Sequence, residues 1–357
     1  MGKADGDARI VGADDPILVT GAAGFIGRRV VRHLLNHGFN KVRCFVRRSA
    51  DLARVQPLID PGCERARIEI IAGDLLRRED CAVAAKGAAV ILHLAAGRGE
   101  KSFSDAFLNS VVTTRNLLEA SAQNSSLKRF VSISSFAVYT NRGKPRGRLL
   151  DESCPMEIHP ERRGEAYCFA KVKQDEIVAE YGRKLGIPYV IVRPGYVYGP
   201  GNEPITGRVG IGTFGVFLHL GGSNPIPFTY VDNCAEAIVL AGLKEGIDGE
   251  VFNVVDDDLP TSRRFLRLYK QHVREFKSVY VPHFLSYILC GLWGRYSAWS
   301  QGQLPPAFNC GRWHANWKKT RYSNAKLKLR LGWVSKVSTA DGLSRYFEAC
   351  RYGGRHA

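Results

Sequence analysis

The chain is 357 residues long, 45% hydrophobic and 24% charged, with a formal net charge of +17. That length and apolar content suffice for a full core, in two lobes or in one elaborated domain. Residues 1–15 are polar and lack the apolar stretch of a secretory signal. Nine cysteines occur with no C-x-x-C pair. This argues against a disulfide framework and a zinc knuckle, and a reducing, cytoplasmic setting is expected. The basic residues come as scattered pairs such as Arg77-Arg78 and Lys318-Lys319, with no nucleic-acid motif organising them, which argues against a specific nucleic-acid partner.

In chain order, Ile17-Leu18-Val19-Thr20 reads as a short apolar strand. It runs into Gly21, Gly24 and Gly27, three residues apart, and then into a helical pattern over 25–37. Such a loop seats a dinucleotide pyrophosphate. Gly21 permits the tight turn, Gly24 lets the backbone approach the phosphates, and Gly27 lets the helix pack closely on the strand. The helix N-terminus then meets the anion with unpaired N–H groups.

Further strands are predicted at 41–47, 67–71, 89–94, 130–134 and 188–193, with an amphipathic helix over 163–185. This alternation implies a doubly wound α/β fold, a parallel sheet covered on both faces. Residues 209–231 contain no Asp, Glu, Lys or Arg but five glycines and two prolines, which suits a pocket wall and not a membrane helix. Helices are predicted again at 233–243, 262–276 and 338–350. Residues 1–15 are expected to be poorly ordered and 16–200 to form a Rossmann dinucleotide-binding domain. Residues 201–357 are expected to form a smaller C-terminal substrate lobe over the sheet's carboxyl edge, with 228–256 returning to the Rossmann domain.

Tyr167-Cys168-Phe169-Ala170-Lys171 places a phenol and an ammonium one turn apart on one helix face. A neighbouring cation stabilises the phenolate and brings its proton transfer nearer operating pH. Tyr322 and Lys326 share this spacing, but they lie in the C-terminal lobe, whereas Tyr167 follows the strand-end serines Ser132-Ile133-Ser134-Ser135. The glycine loop, the strand-end serines and Tyr-x-x-x-Lys, in this order, resemble the extended short-chain dehydrogenase/reductase family, often labelled NAD-dependent epimerase/dehydratase. The resemblance runs from Pro16 to Arg351. It takes in Gly73-Asp74-Leu75, Leu94-Ala95-Ala96, the run from Arg193-Pro194-Gly195 to Tyr198-Gly199-Pro200, Tyr230-Val231-Asp232-Asn233 and Phe252-Asn253-Val254.

The resemblance implies roles. Ser135 orients the substrate oxygen, with Ser134 a less favoured substitute; Tyr167 gives or takes the proton; Lys171 lowers its pKa and holds the nicotinamide ribose. Cofactor contacts fall to Gly21, Gly24, Phe25, Ile26, Gly27, Arg47, Asp74, Leu75, Leu94, Ala95, Ala96, Tyr167, Lys171 and Pro194, with Asp74 at the adenine. The family's asparagine aligns with Ser110, and Asn109 is one residue out of register, so neither carries a role. No metal is expected, since His33 and His37, four apart on the first helix, lack a third ligand of matching spacing.

After the second strand an acid suits the ribose of NAD, whereas an arginine suits the 2'-phosphate of NADP. Arg47-Arg48 stand there with no acid before Asp51, so NADP is preferred and NAD is the alternative. Family dehydratases and decarboxylases carry an acid just after the catalytic serine or threonine. Phe136-Ala137 cannot transfer a proton, which leaves hydride exchange between a secondary alcohol and a ketone.

Tyr196 stands where members similar to UDP-galactose 4-epimerase carry asparagine, and its surroundings resemble the 3β-hydroxysteroid dehydrogenase and dihydroflavonol reductase branches. The favoured reading is an NAD(P)-dependent oxidoreductase acting on a lipid-like or glycan-precursor small molecule. One alternative is a nucleotide-sugar 4-epimerase, in which Arg208 meets the diphosphate. A second is a non-catalytic dinucleotide sensor, against which the intact Ser135, Tyr167 and Lys171 weigh. Residues 261–277 hold six Lys/Arg and one acid, and 278–294 hold no formal charge. That uncharged run reads as a core or lid helix or as an interfacial anchor, which makes 262–294 a candidate peripheral membrane contact. A homodimer is a further expectation.

Overall fold

The structure is a computed structural model that describes residues 9–47, 67–97, 102–143, 145–202, 205–300 and 308–353. Seven short strands form its centre: β1 (Ile17–Thr20), β2 (Lys41–Arg47), β3 (Arg67–Gly73), β4 (Val90–His93), β5 (Arg129–Ile133), β6 (Tyr189–Pro194) and β7 (Val251–Val254). They lie in the order β7-β6-β5-β4-β1-β2-β3, and every pairing is parallel. Strands β1, β4 and β5 are buried along their whole length, which is why β1 and the Val90-Ile91-Leu92 part of β4 read as apolar runs and not as alternating ones.

The helices α1 (Gly27–Asn36), α2 (Arg78–Ala85), α3 (Thr113–Ala122), α4 (Ala166–Leu185) and α5 (Val231–Leu243) cover the sheet. Val30, Val31 and Leu34 of α1 and Ile238 of α5 fill one face; Cys81, Leu117, Leu118 and Val178 of α2, α3 and α4 fill the other. This is the doubly wound Rossmann arrangement. The strand order reverses between β1 and β4, so the loops after those strands open a crevice at the carboxyl edge.

Two expectations change at the ends of elements. Residues 1–8 lie outside the described residues, and from Arg9 onward the N-terminal segment is tied down: Ile10 N donates to Leu243 O at 3.0 Å and Val11 is buried. The helix expected over 262–276 stops earlier, as α6 (Ser262–His272). The chain beyond it becomes extended because it finds backbone partners: Phe217 N donates to Lys277 O at 2.9 Å and Val281 N to His219 O at 3.0 Å. Ser278–Tyr280 thereby joins the hairpin Gly210–Thr213 and Val216–His219 in a three-stranded sheet. An aromatic cluster that includes Tyr198, Phe228, Phe265, Tyr269 and Phe347 holds α6 against the strand pair Tyr196–Tyr198 and Phe228–Tyr230. All eight cysteines among the described residues are free thiols.

His33 and His37 do have a shared partner, Glu236 of α5. His33 Nδ1 and His37 Nε2 stand 2.8 and 3.2 Å from its Oε2, and Lys336 Nζ stands 2.7 Å from its Oε1. Burial alone would lower the His33 imidazole, but bonds to Asp232 and Glu236 outweigh it and raise the group to about 9. A raised folded-state value means that this clamp between α1 and α5 is complete below the free value of about 6.5 and is lost as pH rises through about 9. A tenfold change in proton affinity is worth about 1.4 kcal/mol, so the clamp contributes a few kcal/mol at most. Thermal denaturation should show Tm falling over that alkaline interval in the parent protein. His33→Ala should start from a lower Tm near neutrality and lose the decline; an equal slope in both proteins would refute the clamp.

Candidate active site

The glycine loop lies at the carboxyl end of β1, where β1 passes into α1. Gly21 has φ +69°, a left-handed conformation, and a Cβ there would stand 2.9 Å from Ala95 N. A Cβ on Gly24 would stand 3.0 Å from Gly21 O, and one on Gly27 only 2.1 Å from the same oxygen. No side chain caps the start of α1; Arg28 N donates to Gly24 O at 3.1 Å and Arg29 N to Ile26 O at 3.0 Å, so the N–H groups available to an anion are those ahead of Arg28, in the loop itself. The loop is thus a cradle that a side chain would fill, and it fits a dinucleotide's phosphates.

A cavity of about 1710 Å³ opens along this edge. Single-ligand pockets run to about 1,000 Å³, so there is room for a dinucleotide with a second molecule. Of the expected residues, Gly21, Gly24, Phe25, Ile26, Gly27, Leu94, Ala96, Ser135, Tyr167, Lys171 and Pro194 form its wall. Arg47, Asp74, Leu75 and Ala95 stand behind or beside it. Register pairs Arg47 with Gly73, so exposed Arg47 and Asp74 share one sheet edge. Asp74 Oδ1 accepts from Leu76 N at 3.0 Å, and Leu75 is buried with its carbonyl accepting from Asn116 at 3.1 Å. Ala95 N donates to Thr20 Oγ1 at 3.2 Å. Arg48 and Asp51 lie outside the described residues.

Ser135 starts the short turn Phe136–Val138, its Oγ accepting from Ala137 N at 3.2 Å. Tyr167 sits in the first turn of α4 and is 37% exposed, toward the cavity. Enclosure of the phenol raises its pKa, and a hydrogen bond with Ser135 opposes that rise. Lys171, one turn on, is buried; its ammonium donates to Ile133 O at 2.6 Å and to Gln174 Oε1 at 2.8 Å. Burial lowers Lys171 to about 8, with Asp175 pulling the other way. The expected lowering of Tyr167 by Lys171 is therefore not what the site displays: burial governs both groups, and the lysine's bonds point to β5 and Gln174.

Behind Lys171 runs a buried chain that the sequence did not announce. Gln174 Nε2 donates to Thr114 Oγ1 at 2.9 Å, and the Thr114 hydroxyl donates to Ser110 O at 2.5 Å. With that proton committed, His93 Nε2, 2.8 Å away, must be the donor to Thr114, and His93 Nδ1 must accept from the Thr20 hydroxyl at 2.8 Å. Burial, and after it the Lys171 charge, lowers His93 to about 3, consistent with a neutral ring. Ser110 and Asn109 serve the backbone: Ser110 Oγ accepts from Gly97 N at 3.1 Å, and Asn109 Nδ2 donates to Asp105 O at 3.0 Å.

A second buried layer lies beneath. Arg193 pairs with Asp175 at 3.0 Å and donates to Tyr139 at 3.0 Å, and Tyr139 donates to Asn253 Oδ1 at 2.8 Å. This fixes α4 on β6 and β7 and on the segment that follows the Phe136–Val138 turn. Phe136 is buried against Tyr322, ring centroids 5.6 Å apart, so no titratable group follows Ser135.

Sequence reasoning missed Gly97, Asn202, Phe276 and the hairpin residues 212–217 on the wall. Only the uncharged run over 209–231 hinted at the last. Arg208 is off the wall: it donates to Ala315 O at 3.0 Å and stands 3.4 Å from the Tyr322 hydroxyl, which ties two C-terminal segments together. The second spaced pair is structural too, since Lys326 pairs with Glu250 at 3.2 Å.

A sequence model of the NAD dependent epimerase/dehydratase family matches residues 17–254. A trifunctional UDP-glucose 4,6-dehydratase/UDP-4-keto-6-deoxy-D-glucose 3,5-epimerase/UDP-4-keto-L-rhamnose-reductase of Arabidopsis thaliana is 27% identical over 67% of this chain, which spans only 36% of that relative's length. A 3beta-hydroxysteroid-dehydrogenase/decarboxylase of the same plant is 25% identical over 93% of this chain and 61% of its own. Among solved structures, UDP-glucuronic acid 4-epimerase from Bacillus cereus, in complex with UDP-glucuronic acid and NAD, superposes with a TM-score of 0.70 at 22% identity, covering 94% of this chain and 99% of that one. That likeness is one of fold.

Two substitutions probe the geometry. Gly27→Ala puts a methyl group against a backbone oxygen that cannot retreat, and should weaken calorimetric dinucleotide binding about tenfold to a hundredfold, more than Gly24→Ala does. Gln174→Leu removes the side-chain acceptor bonded to Lys171 and should lower stability by about 1–3 kcal/mol in urea denaturation. Unchanged unfolding midpoints would show that the buried chain contributes nothing.

Proposed function

Because the chain belongs to the NAD dependent epimerase/dehydratase family, we propose that it is an NAD(P)-dependent oxidoreductase that interconverts a secondary alcohol and a ketone. The observation that carries this reading is the meeting in one cavity of the glycine cradle, Ser135, Tyr167 facing the cavity and the buried Lys171 ammonium. Gly21, Gly24 and Gly27, with Phe25 and Ile26, would hold the pyrophosphate, Leu94 to Ala96 the stretch beyond it, and Arg47, Asp74 and Leu75 the adenosine end. When bound, the nicotinamide supplies hydride donation and acceptance.

The protein's own residues do the rest. Ser135 hydrogen-bonds the substrate oxygen, and Tyr167 gives or takes the proton at its hydroxyl. Lys171, fixed by Ile133 O and Gln174, supplies positive charge next to the nicotinamide ribose. Phe136 keeps a second proton donor away, which favours redox interconversion over elimination. Residues 16–200 with 228–256 form the dinucleotide half and the remainder of the C-terminal part the substrate lobe.

A nucleotide-sugar 4-epimerase is the second reading, favoured by the cations Arg274, Lys277 and Arg351 on the cavity wall, which suit an anionic substrate. On cofactor choice, the family's description and the Bacillus neighbour name NAD, and exposed Arg47 is the residue that supports NADP. No helix among the described residues is long and apolar enough to cross a membrane.

Tyr167→Phe should reduce turnover about 10²- to 10⁴-fold while leaving calorimetric dinucleotide affinity unchanged. Unaltered cellular function in that variant would instead favour the non-catalytic sensor. A mass spectrum of the natively purified protein that showed a bound nucleotide sugar would establish the epimerase reading in place of the first. For the cofactor, Arg47→Asp should weaken NADP about tenfold or more and spare NAD, whereas equal affinity of the parent protein for both dinucleotides would end the NADP preference.

A further inference from the structure

Helix α7 (His283–Trp299) turns its apolar side outward. The residues it buries are Ser286, Cys290 and Ser297, and Ser286 Oγ accepts from Trp313 Nε1 at 2.9 Å. Leu285, Ile288, Leu289, Leu292, Tyr296 and Trp299 are exposed, Trp299 at 76%. Their steps of three, one, three, four and three place them on one stripe. A surface helix of a globular domain ordinarily does the reverse. The apolar surface continues onto Val279 and Tyr280 of the neighbouring strand, and across the same three-stranded sheet to Phe214 at the hairpin tip. Phe214 is fully exposed and holds φ +45°, a strained conformation for a residue with a side chain.

The charges placed beside this stripe are positive. Between Glu275 and Asp341 the sequence has ten Lys/Arg and no acid, and five of the ten, Arg312, Lys326, Lys328, Arg330 and Lys336, pair with carboxylates from other parts of the chain. Arg263 lies over the Tyr280 ring at 5.4 Å, Arg146 Nη2 stands 3.1 Å from His283 Nδ1, and Arg295 sits on α7 itself. None of the three forms an ion pair with a carboxylate among the described residues. A second copy of the chain would set cation against cation here. An anionic lipid surface meets both halves of the pattern, and Tyr296 and Trp299, stacked 5.6 Å apart, are the residue types that settle at a headgroup boundary.

We propose that α7 and the strand Ser278–Tyr280 form an interfacial anchor that seats the protein on an anionic lipid bilayer, with the helix axis in the membrane plane. Seventeen residues are too few to span it. Hairpin residues 212–217, on the cavity wall, belong to the same small sheet, so the anchor holds the cavity mouth beside the lipid.

Flotation of the full chain with vesicles of phosphatidylcholine, with and without phosphatidylglycerol, tests this. Binding should be about tenfold or more tighter to the anionic vesicles and should weaken with added salt. The double variant Leu289→Glu, Leu292→Glu should lose about tenfold or more of that binding while retaining dinucleotide affinity, which certifies its fold. Absence of flotation with anionic vesicles, or equal flotation of the variant, would overturn the proposal. So would a dimer in sedimentation equilibrium that the same variant dissolves while the parent ignores vesicles, since the stripe would then join two copies.

Discussion

Helix α1 lies so near strand β1 that a methyl group at Gly27 would stand 2.1 Å from the Gly21 carbonyl oxygen. Everything at the carboxyl edge depends on that approach. It brings the open start of α1 over the end of β1, and Gly21 in turn passes within a Cβ's reach of the Ala95 backbone at the end of β4. The glycine backbones thus form the floor of the crevice at the strand-order reversal. Side chains of Phe25, Ile26 and Leu94 line its near sides, and Ser135, Tyr167 and the hairpin enter from beyond β5, from α4 and from the C-terminal part. The clamp of His33, His37 and Lys336 on Glu236 holds the outer surface of the same helix against α5.

The two buried polar layers serve the opposite end of the cavity. Arg193, Asp175, Tyr139 and Asn253 lock α4 onto two strands, β6 and β7, and the chain from Lys171 to Thr20 ties α4 to α3, β4 and β1. Unpaired, each of these groups would destabilise a dry interior; connected, they fix the angle at which α4 presents Tyr167. Lys171 cannot change rotamer without breaking bonds to both Ile133 O and Gln174.

What was legible in the sequence was what local physics dictates. The glycine spacing follows from contacts among residues 21, 24 and 27, and the apolar strands from burial on both faces; the structure reproduces both. The layer behind Lys171 was hidden because its members come from separate elements. His93 and Thr114 are 21 residues apart, and Tyr139 and Asn253 are 114 apart. Only Gln174, three positions after Lys171 on the same helix, left a local trace. Arg208 misled because an isolated arginine beside an uncharged run looks like a ligand-binding charge, whereas its real partners, Ala315 O and Tyr322, lie more than a hundred residues away. The outward face of α7 was ambiguous for a different reason. An apolar stripe has the same period whether it points into a core or away from it, and only the small residues opposite, Ser286, Cys290 and Ser297, distinguish the cases.

The direction of the bonds behind Lys171 has a dynamic consequence. Every hydrogen from Ala95 N through Thr20, His93 and Thr114 points along one sense and ends on the Ser110 main-chain carbonyl, which cannot pass a proton on. Conduction along such a row requires each hydroxyl to rotate and the imidazole to change tautomer. In this arrangement the row carries no proton through the interior. The cavity mouth is the direct path between the Tyr167 hydroxyl and bulk water, so whatever fills that mouth stands in that path.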